Sequence, residues 1–262
     1  MNHSTTEIRW LPLVFVGFLQ FALLPVAIGV TVWINDPSWM PLYNEMGWTC
    51  VPSAQTALST LYLAFGAGGL VLRFSLTLVT LVMILLSTGW AYGVIGVFDN
   101  PWAELPGRSG CTVVPASLTG LFLSLLRPWI GTVRCTHTIA DARCGIQDLL
   151  LTTFFVSVLL CWYRYAVSVV SGEPVDVLML ALYSSLIALF GLSCLLLVMG
   201  STHLRRFAGV AGFAIGLTVN VSLFSWSTWF QTVSVWGIVI CTLAVLRVSG
   251  VCLRRITTAT TK

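Results

Sequence analysis

Long apolar runs alternate with short polar turns along the whole chain, and this alternation is its dominant pattern. Stretches such as 10–34 and 74–98 contain no charged residue. Each exceeds the roughly 20 apolar residues that a helix needs to cross about 30 Å of hydrocarbon. The pattern predicts eight transmembrane helices, at 10–34, 53–72, 74–98, 111–126, 147–166, 176–199, 207–224 and 228–246. The second and third are joined almost directly. Their turn is expected either at Arg73 itself or in Gly66-Ala67-Gly68-Gly69, a stretch that favours a tight bend.

A basic residue returns at near-regular intervals, at Arg9, Arg73, Arg143 and Arg206, each time ahead of an apolar helix, a turn and a second apolar helix. Such periodicity marks a repeated supersecondary unit. The expected fold is therefore an all-α membrane protein, with eight transmembrane helices as four tandem antiparallel hairpins. It forms one integral membrane domain over 1–262, with quasi-repeats at about 9–72, 73–142, 143–205 and 206–255. The first two hairpins also share their loops. Asn35-Asp36-Pro37-Ser38-Trp39 corresponds to Asp99-Asn100-Pro101-Trp102, and both loops end in a cysteine close to a Val-Pro pair. Asn or Asp before Pro stops a helix and starts a turn. All four hairpins start from the same side, so the repeat is parallel, whereas many secondary transporters are built on inverted repeats.

The starts of the second and third hairpins, Arg73-Phe74-Ser75-Leu76-Thr77-Leu78 and Arg143-Cys144-Gly145-Ile146-Gln147-Asp148-Leu149-Leu150, resemble a segment found in uncharacterised multi-pass membrane proteins of planctomycete bacteria. There the pattern is roughly Arg-Phe-Ser-Ile-Arg-Asp-Leu-Leu. It is a helix start, with Ser as cap and an acid in the first turn favoured by the helix dipole. This chain keeps Ser75 but has Leu78 in place of the acid in one copy, and keeps Asp148 but has Gly145 at the cap in the other. The resemblance implies a multi-pass bacterial membrane fold and carries no activity, cofactor or partner.

Composition agrees. Hydrophobic residues make up 57% of the chain and charged residues 8%, against about 45–50% and about 25% in soluble domains. So few charges cannot cover a water-soluble globule of this size. Lys and Arg concentrate in loops that face the cytoplasm. With both termini inside, Arg9, Arg73, Arg127, Arg134, Arg143, Arg205, Arg206, Arg247, Arg254, Arg255 and Lys262 fall on the inner side, leaving Arg108 and Arg164 outside. Asp36, Glu45, Asp99, Glu104, Glu173 and Asp176 fall outside. The expected location is a bacterial inner membrane with both termini cytoplasmic. The net charge of +4 then reflects orientation, and no nucleic-acid partner is expected. A cleavable signal is the rival reading of the first span, with Arg9 ahead of it and Ala27-Ile28-Gly29 as a weak cleavage site. The first span shares the context of the third, so it is expected to stay.

Chemistry-bearing residues are sparse. No ionisable residue falls at mid-depth in any expected span, where a functional one would be looked for, and this lowers ion-coupled transport. Gln20, Thr218, Asn220 and Ser222, with Thr77, Thr80, Ser87 and Thr88, are the candidates for a polar pathway. Hydroxyls in membrane helices more often bond their own backbone. Arg164, within Trp162-Tyr163-Arg164-Tyr165, is a candidate anion or lipid contact, weighed against a snorkelling side chain beside Glu173 or Asp176. Cys50 and Cys111 occupy equivalent repeat positions on the oxidising side and form a candidate disulfide, weighed against two thiols too far apart to bond.

Cys135, His137, Asp141 and Cys144 share one inner loop, yet lack a Cys-x-x-Cys pair, so no metal site is expected. Gly89-x-x-x-Gly93 and Ala208-x-x-x-Gly212-x-x-x-Gly216 offer small-residue faces for close helix approach, expected within the bundle rather than in a dimer. Hydrolase, zinc-protease and phosphate-loop motifs are absent. No cofactor and no catalytic residue is assigned. The expected role is that of a non-enzymatic scaffold or accessory subunit, partnered by the lipid bilayer and by another membrane protein. The alternative is a transporter or channel for an uncharged or weakly charged solute.

Overall fold

Apolar runs of this length fold as helices because a helix satisfies its backbone within itself, and the glycines and prolines between them end each one. The computed structural model describes residues 50–66, 69–95, 105–135, 146–170, 177–223, 226–249 and 251–254. Within them lie α1 (Val51–Phe65), α2 (Leu70–Ile95), α3 (Leu105–Leu125), the single turn α4 (Arg127–Ile130), β1 (Thr132–Cys135), α5 (Ile146–Val170), α6 (Val177–Met199), α7 (His203–Leu223), α8 (Trp226–Val248) and β2 (Val251–Arg254). The seven long helices coincide with the second to eighth apolar runs. The first run, 10–34, lies outside the described residues.

Three boundaries are fixed here, the first at one of its two expected places and the other two away from expectation. Helix α1 ends at Phe65, and the turn is the glycine stretch, leaving Arg73 inside α2. Gly66 turns extended (φ −61°, ψ 160°) while its N–H still reaches Tyr62 O at 2.8 Å. A Cβ there would lie 2.4 Å from that carbonyl oxygen, so glycine is required by close approach. Helix α3 begins at Leu105, so Arg108 and Cys111 are helical. Third, the two segments expected to be loop and tail pair as an antiparallel ribbon, with Thr132 opposite Arg254, Val133 opposite Leu253, Arg134 opposite Cys252 and Cys135 opposite Val251. Gly131 precedes the ribbon at φ 117°, a left-handed conformation that favours glycine.

The larger core joins both ends of the chain: Ala54, Ala57, Leu61 and Phe65 of α1, Leu123 of α3, Phe190, Leu195 and Met199 of α6, and Trp236, Val239 and Leu243 of α8. Phe190 stacks on Trp236 with ring centroids 5.2 Å apart. A second core joins α1, α2 and α3 to Leu159 of α5, with Phe74 stacked on Phe155 at 3.9 Å. Helix α7 lies so close to α6 that a Cβ on Gly209 would stand 2.6 Å from Leu197 N, and one on Gly212 would stand 2.5 Å from Ser193 Oγ. The small face of α7 is thus used inside the bundle, and it runs through Gly209 where Ala208 was expected, Ala208 itself being exposed.

The contacts repeat when the two ends of the chain are exchanged. Helix α1 packs on α2 and α3, and α6 packs on α7 and α8; between the groups, α3 meets α6 and α8 meets α1. Helices α1 and α6, which correspond under this exchange, touch each other, and so do β1 and β2. Aligning Gly131 with Gly250 maps the ribbon register onto itself, since Thr132–Arg254 becomes Val251–Cys135 and Val133–Leu253 becomes Cys252–Arg134. A two-fold relation between the halves has this signature.

Directly opposed residues of an antiparallel pair have Cα atoms about 4.5–5.5 Å apart, within reach of a disulfide. The variant Arg134→Cys is therefore expected to cross-link to Cys252 under mild oxidation, seen as one linked tryptic peptide pair. Val133→Cys, on the other face of the strand, should give no link to Cys252.

Candidate functional site

A helix ends with four carbonyls that have no partner in the helix and carry a partial negative charge. In this fold arginines from two other helices close such an end, and the arrangement occurs twice. Arg73, in the first turn of α2, reaches back over the glycine turn and donates from one Nη to Leu63 O and, at 2.9 Å, to Ala64 O. Arg127, just beyond α3, donates to Gly66 O at 3.1 Å. At the end of α6, Arg206 of α7 donates from Nε to Gly200 O at 3.2 Å, and Arg247 near the end of α8 donates from an Nη to Val198 O.

The local sequence explains the geometry. Arg73 N–H bonds Gly69 O at 3.1 Å, and Arg206 N–H bonds Thr202 O at 3.2 Å. Each arginine therefore occupies the same position in the first helical turn. A cation is disfavoured there by its own helix dipole and favoured by the C-terminal carbonyls of the preceding helix. Reaching back exchanges the first field for the second. Five N–H donors in a planar fork let one guanidinium span adjacent carbonyls. The two copies differ in environment: Arg73 is only 4% exposed, whereas Arg206 and Arg247 are exposed. Along α2, Thr77 extends the first contact by donating to Ser59 O at 3.4 Å.

From the sequence these arginines mark the hairpin repeat and the orientation, without a partner for any of them. The signal that pairs them was present: Arg73-Phe74 corresponds to Arg206-Phe207, and Leu126-Arg127 with a following glycine and strand corresponds to Leu246-Arg247. The shorter period of single hairpins overlies this longer one.

The residues singled out from the sequence are dispersed. Thr218 is exposed on α7, and its hydroxyl donates to Ala214 O at 2.9 Å. Asn220 and Ser222 lie on the backbone of the same helix, their side chains outside the described residues, as is Gln20. Thr80 and Ser87 donate to Leu76 O and Ile84 O within α2. Arg164 is exposed on α5, and Glu173 and Asp176 lie outside the described residues. Cys50 is buried at the N-cap of α1. Helix α3 runs parallel to α1, with Gly120 against Leu63 and Arg127 against Gly66, so Cys111 belongs to the same end of the bundle as Cys50. The side chain of Cys111, and with it any bridge, lies outside the described residues. Of the four inner-loop residues weighed for metal, only Cys135 is described, as the last residue of β1. Among the described residues no group of three metal-ligating side chains occurs.

The chain matches no protein-family model, no curated protein and no solved structure.

Removing one partner of a buried carbonyl costs about 1–3 kcal/mol, while water replaces a lost partner at an exposed site. Arg73→Gln is expected to lower stability by about that amount, and Arg206→Gln by much less. Thermal unfolding of the two variants in the same detergent decides, and equal losses would refute the distinction between a sealed and an open clamp.

Proposed function

We propose that this chain is an integral membrane protein of eight spans with both termini cytoplasmic, acting as a non-enzymatic accessory or scaffold subunit in a bacterial inner membrane. The kinship with planctomycete multi-pass proteins belongs to the same proposal. The observation that carries the membrane reading is the outward apolar surface. In α2, the stretch Leu70–Ser87 is long and apolar enough to cross a membrane and only 33% of it is buried, whereas the core helix of a soluble protein is mostly covered. Val79 and Met83 of α2, Leu150 and Phe154 of α5 and Leu204 and Phe207 of α7 are all more than half exposed. Large apolar surface of this kind demands lipid or a partner.

The role as a component without chemistry of its own is supported by how polar groups are used. Thr56, Ser59, Thr60, Ser124, Ser193, Thr242 and Ser249 each donate to a carbonyl three or four residues back in the chain. Hydroxyls used this way satisfy their donors within their own helices. Aliphatic and aromatic side chains of α1, α6 and α8 pack together between the two halves, with buried hydroxyls such as Thr60, Ser193 and Thr242 on the same helices.

One observation favours the second reading, passage of an uncharged solute. Ser117 Oγ on α3 is buried with no hydrogen-bond partner among the described residues, a state that costs about 1–3 kcal/mol unless something meets it.

Purification of the tagged full chain in mild detergent is expected to bring down one membrane protein at constant stoichiometry, identified by mass spectrometry. A solitary protein that swells liposomes in isotonic glycerol, and loses this with Ser117→Val, would replace the accessory reading by the transport one. For the topology, alkaline phosphatase fused after residue 102, 174 or 226 is expected to be active, and fused after residue 73, 205 or 262 inactive. Any inversion of that order refutes the eight-span arrangement.

A further inference from the structure

We propose that Arg206 and Arg247, with the neighbouring Arg205, form a binding site for the phosphate of an anionic phospholipid headgroup. The site rests on the membrane reading above. Its first support is geometric. Each of the two guanidiniums is anchored by one N–H to the end of the same helix, Arg206 on Gly200 O and Arg247 on Val198 O. The anchors are two residues apart, which holds the two side chains at one helix end, and among the described residues neither is paired with a carboxylate. Both are exposed, and a guanidinium carries five N–H donors. Arg205 and His203 are on the same first turn of α7, with His203 exposed.

The equivalent pair in the other half shows what the geometry does when it is sealed. Arg73 is buried and donates to two carbonyls of α1. Arg206 donates from Nε to Gly200 O, and its side chain is exposed. The same clamp thus serves once as an internal closure and once at the surface.

Charge supplies the second support. After Asp176 the chain contains no Asp or Glu, yet carries Arg205, Arg206, Arg247, Arg254, Arg255 and Lys262. The segment from α6 onward, which holds the open clamp, therefore contains no acidic side chain of its own with which to balance it. Two arginines side by side suit a phosphate, which they can bind bidentately through charge-assisted hydrogen bonds.

A third observation selects lipid over free phosphate. Leu204, Phe207 and Val248, adjacent in sequence to these arginines, are 78%, 71% and 68% exposed. A phospholipid offers a phosphate to the cations and acyl chains to these apolar neighbours, and inorganic phosphate offers only the first.

The test uses the full chain in dodecyl maltoside, titrated with dioleoyl phosphatidylglycerol or dioleoyl phosphatidylcholine and read by native mass spectrometry. Phosphatidylglycerol is expected to be retained at least about tenfold better, because the choline cation of phosphatidylcholine offsets the charge of the same phosphate and is repelled by the two arginines. R206Q/R247Q should abolish that preference, and Arg108→Gln, on the opposite side of the membrane in the proposed topology, should leave it intact. Equal retention of the two lipids, or a preference that survives R206Q/R247Q, overturns the proposal. Displacement of phosphatidylglycerol by equimolar inorganic phosphate also overturns it, in favour of a free-phosphate site. If R206Q/R247Q does not elute as a single species, R206K/R247K is read instead. It keeps both charges but lacks the planar fork, and is expected to lose about threefold in preference, with no loss counting against the site. Failure of the membrane reading has a different sign: the full chain would stay in the supernatant of detergent-free extracts after ultracentrifugation.

Discussion

The end of a helix is the costliest place in an apolar bundle, because its last carbonyls face away from any partner within the helix. Here the ends of α1 and α6 are closed by arginines borrowed from the two helices packed beside each. That choice shapes much else. It brings the first turn of α2 back over α1 and the first turn of α7 back over α6, and fixes the turns at Gly66–Gly69 and Gly200–Thr202. It also draws the ends of α3 and α8 to the same level, from which β1 and β2 continue and pair. A neutral cap would satisfy a carbonyl but would not tie three helices together at one point.

Close approach is the second constraint, and it is distributed unequally. Helix α7 meets α6 through Gly209, Gly212 and Gly216, where Cβ atoms would stand against the backbone and side chains of α6. Helix α3 meets α1 through Gly120 against Leu63. In lipid, where apolar residues gain nothing from leaving the solvent, such tight van der Waals contact is a principal source of helix association. The hydroxyls add little between helices, since most bond to their own. Thr77, which reaches from α2 to Ser59 of α1, is an exception.

The two halves share this plan but not its setting. One clamp is sealed beneath α1, α2 and α3; the other is exposed beside α7 and α8. A duplicated device whose copies differ in burial is free to serve structure in one half and recognition in the other. The second core, in which α5 packs on α1, α2 and α3, adds cover to the first half.

Periodicity and composition alone determined the helices. Unbroken apolar runs leave the backbone no alternative, and the turns are written in glycine, proline and small polar residues. The ends of α6 and α8 were legible to within a few residues for that reason. The end of α1 was left open between the glycines and Arg73 because Leu70–Leu72 continue the apolar pattern beyond the glycines that break it. What only the tertiary structure decided is which helices are neighbours, and so what the arginines do. Hydropathy places a cation at a membrane surface but contains no information about which carbonyls lie within its reach. The ribbon was invisible for the same reason: four-residue strands far apart in sequence have no local signature, and they pair only when the fold brings the segments after α3 and α8 together.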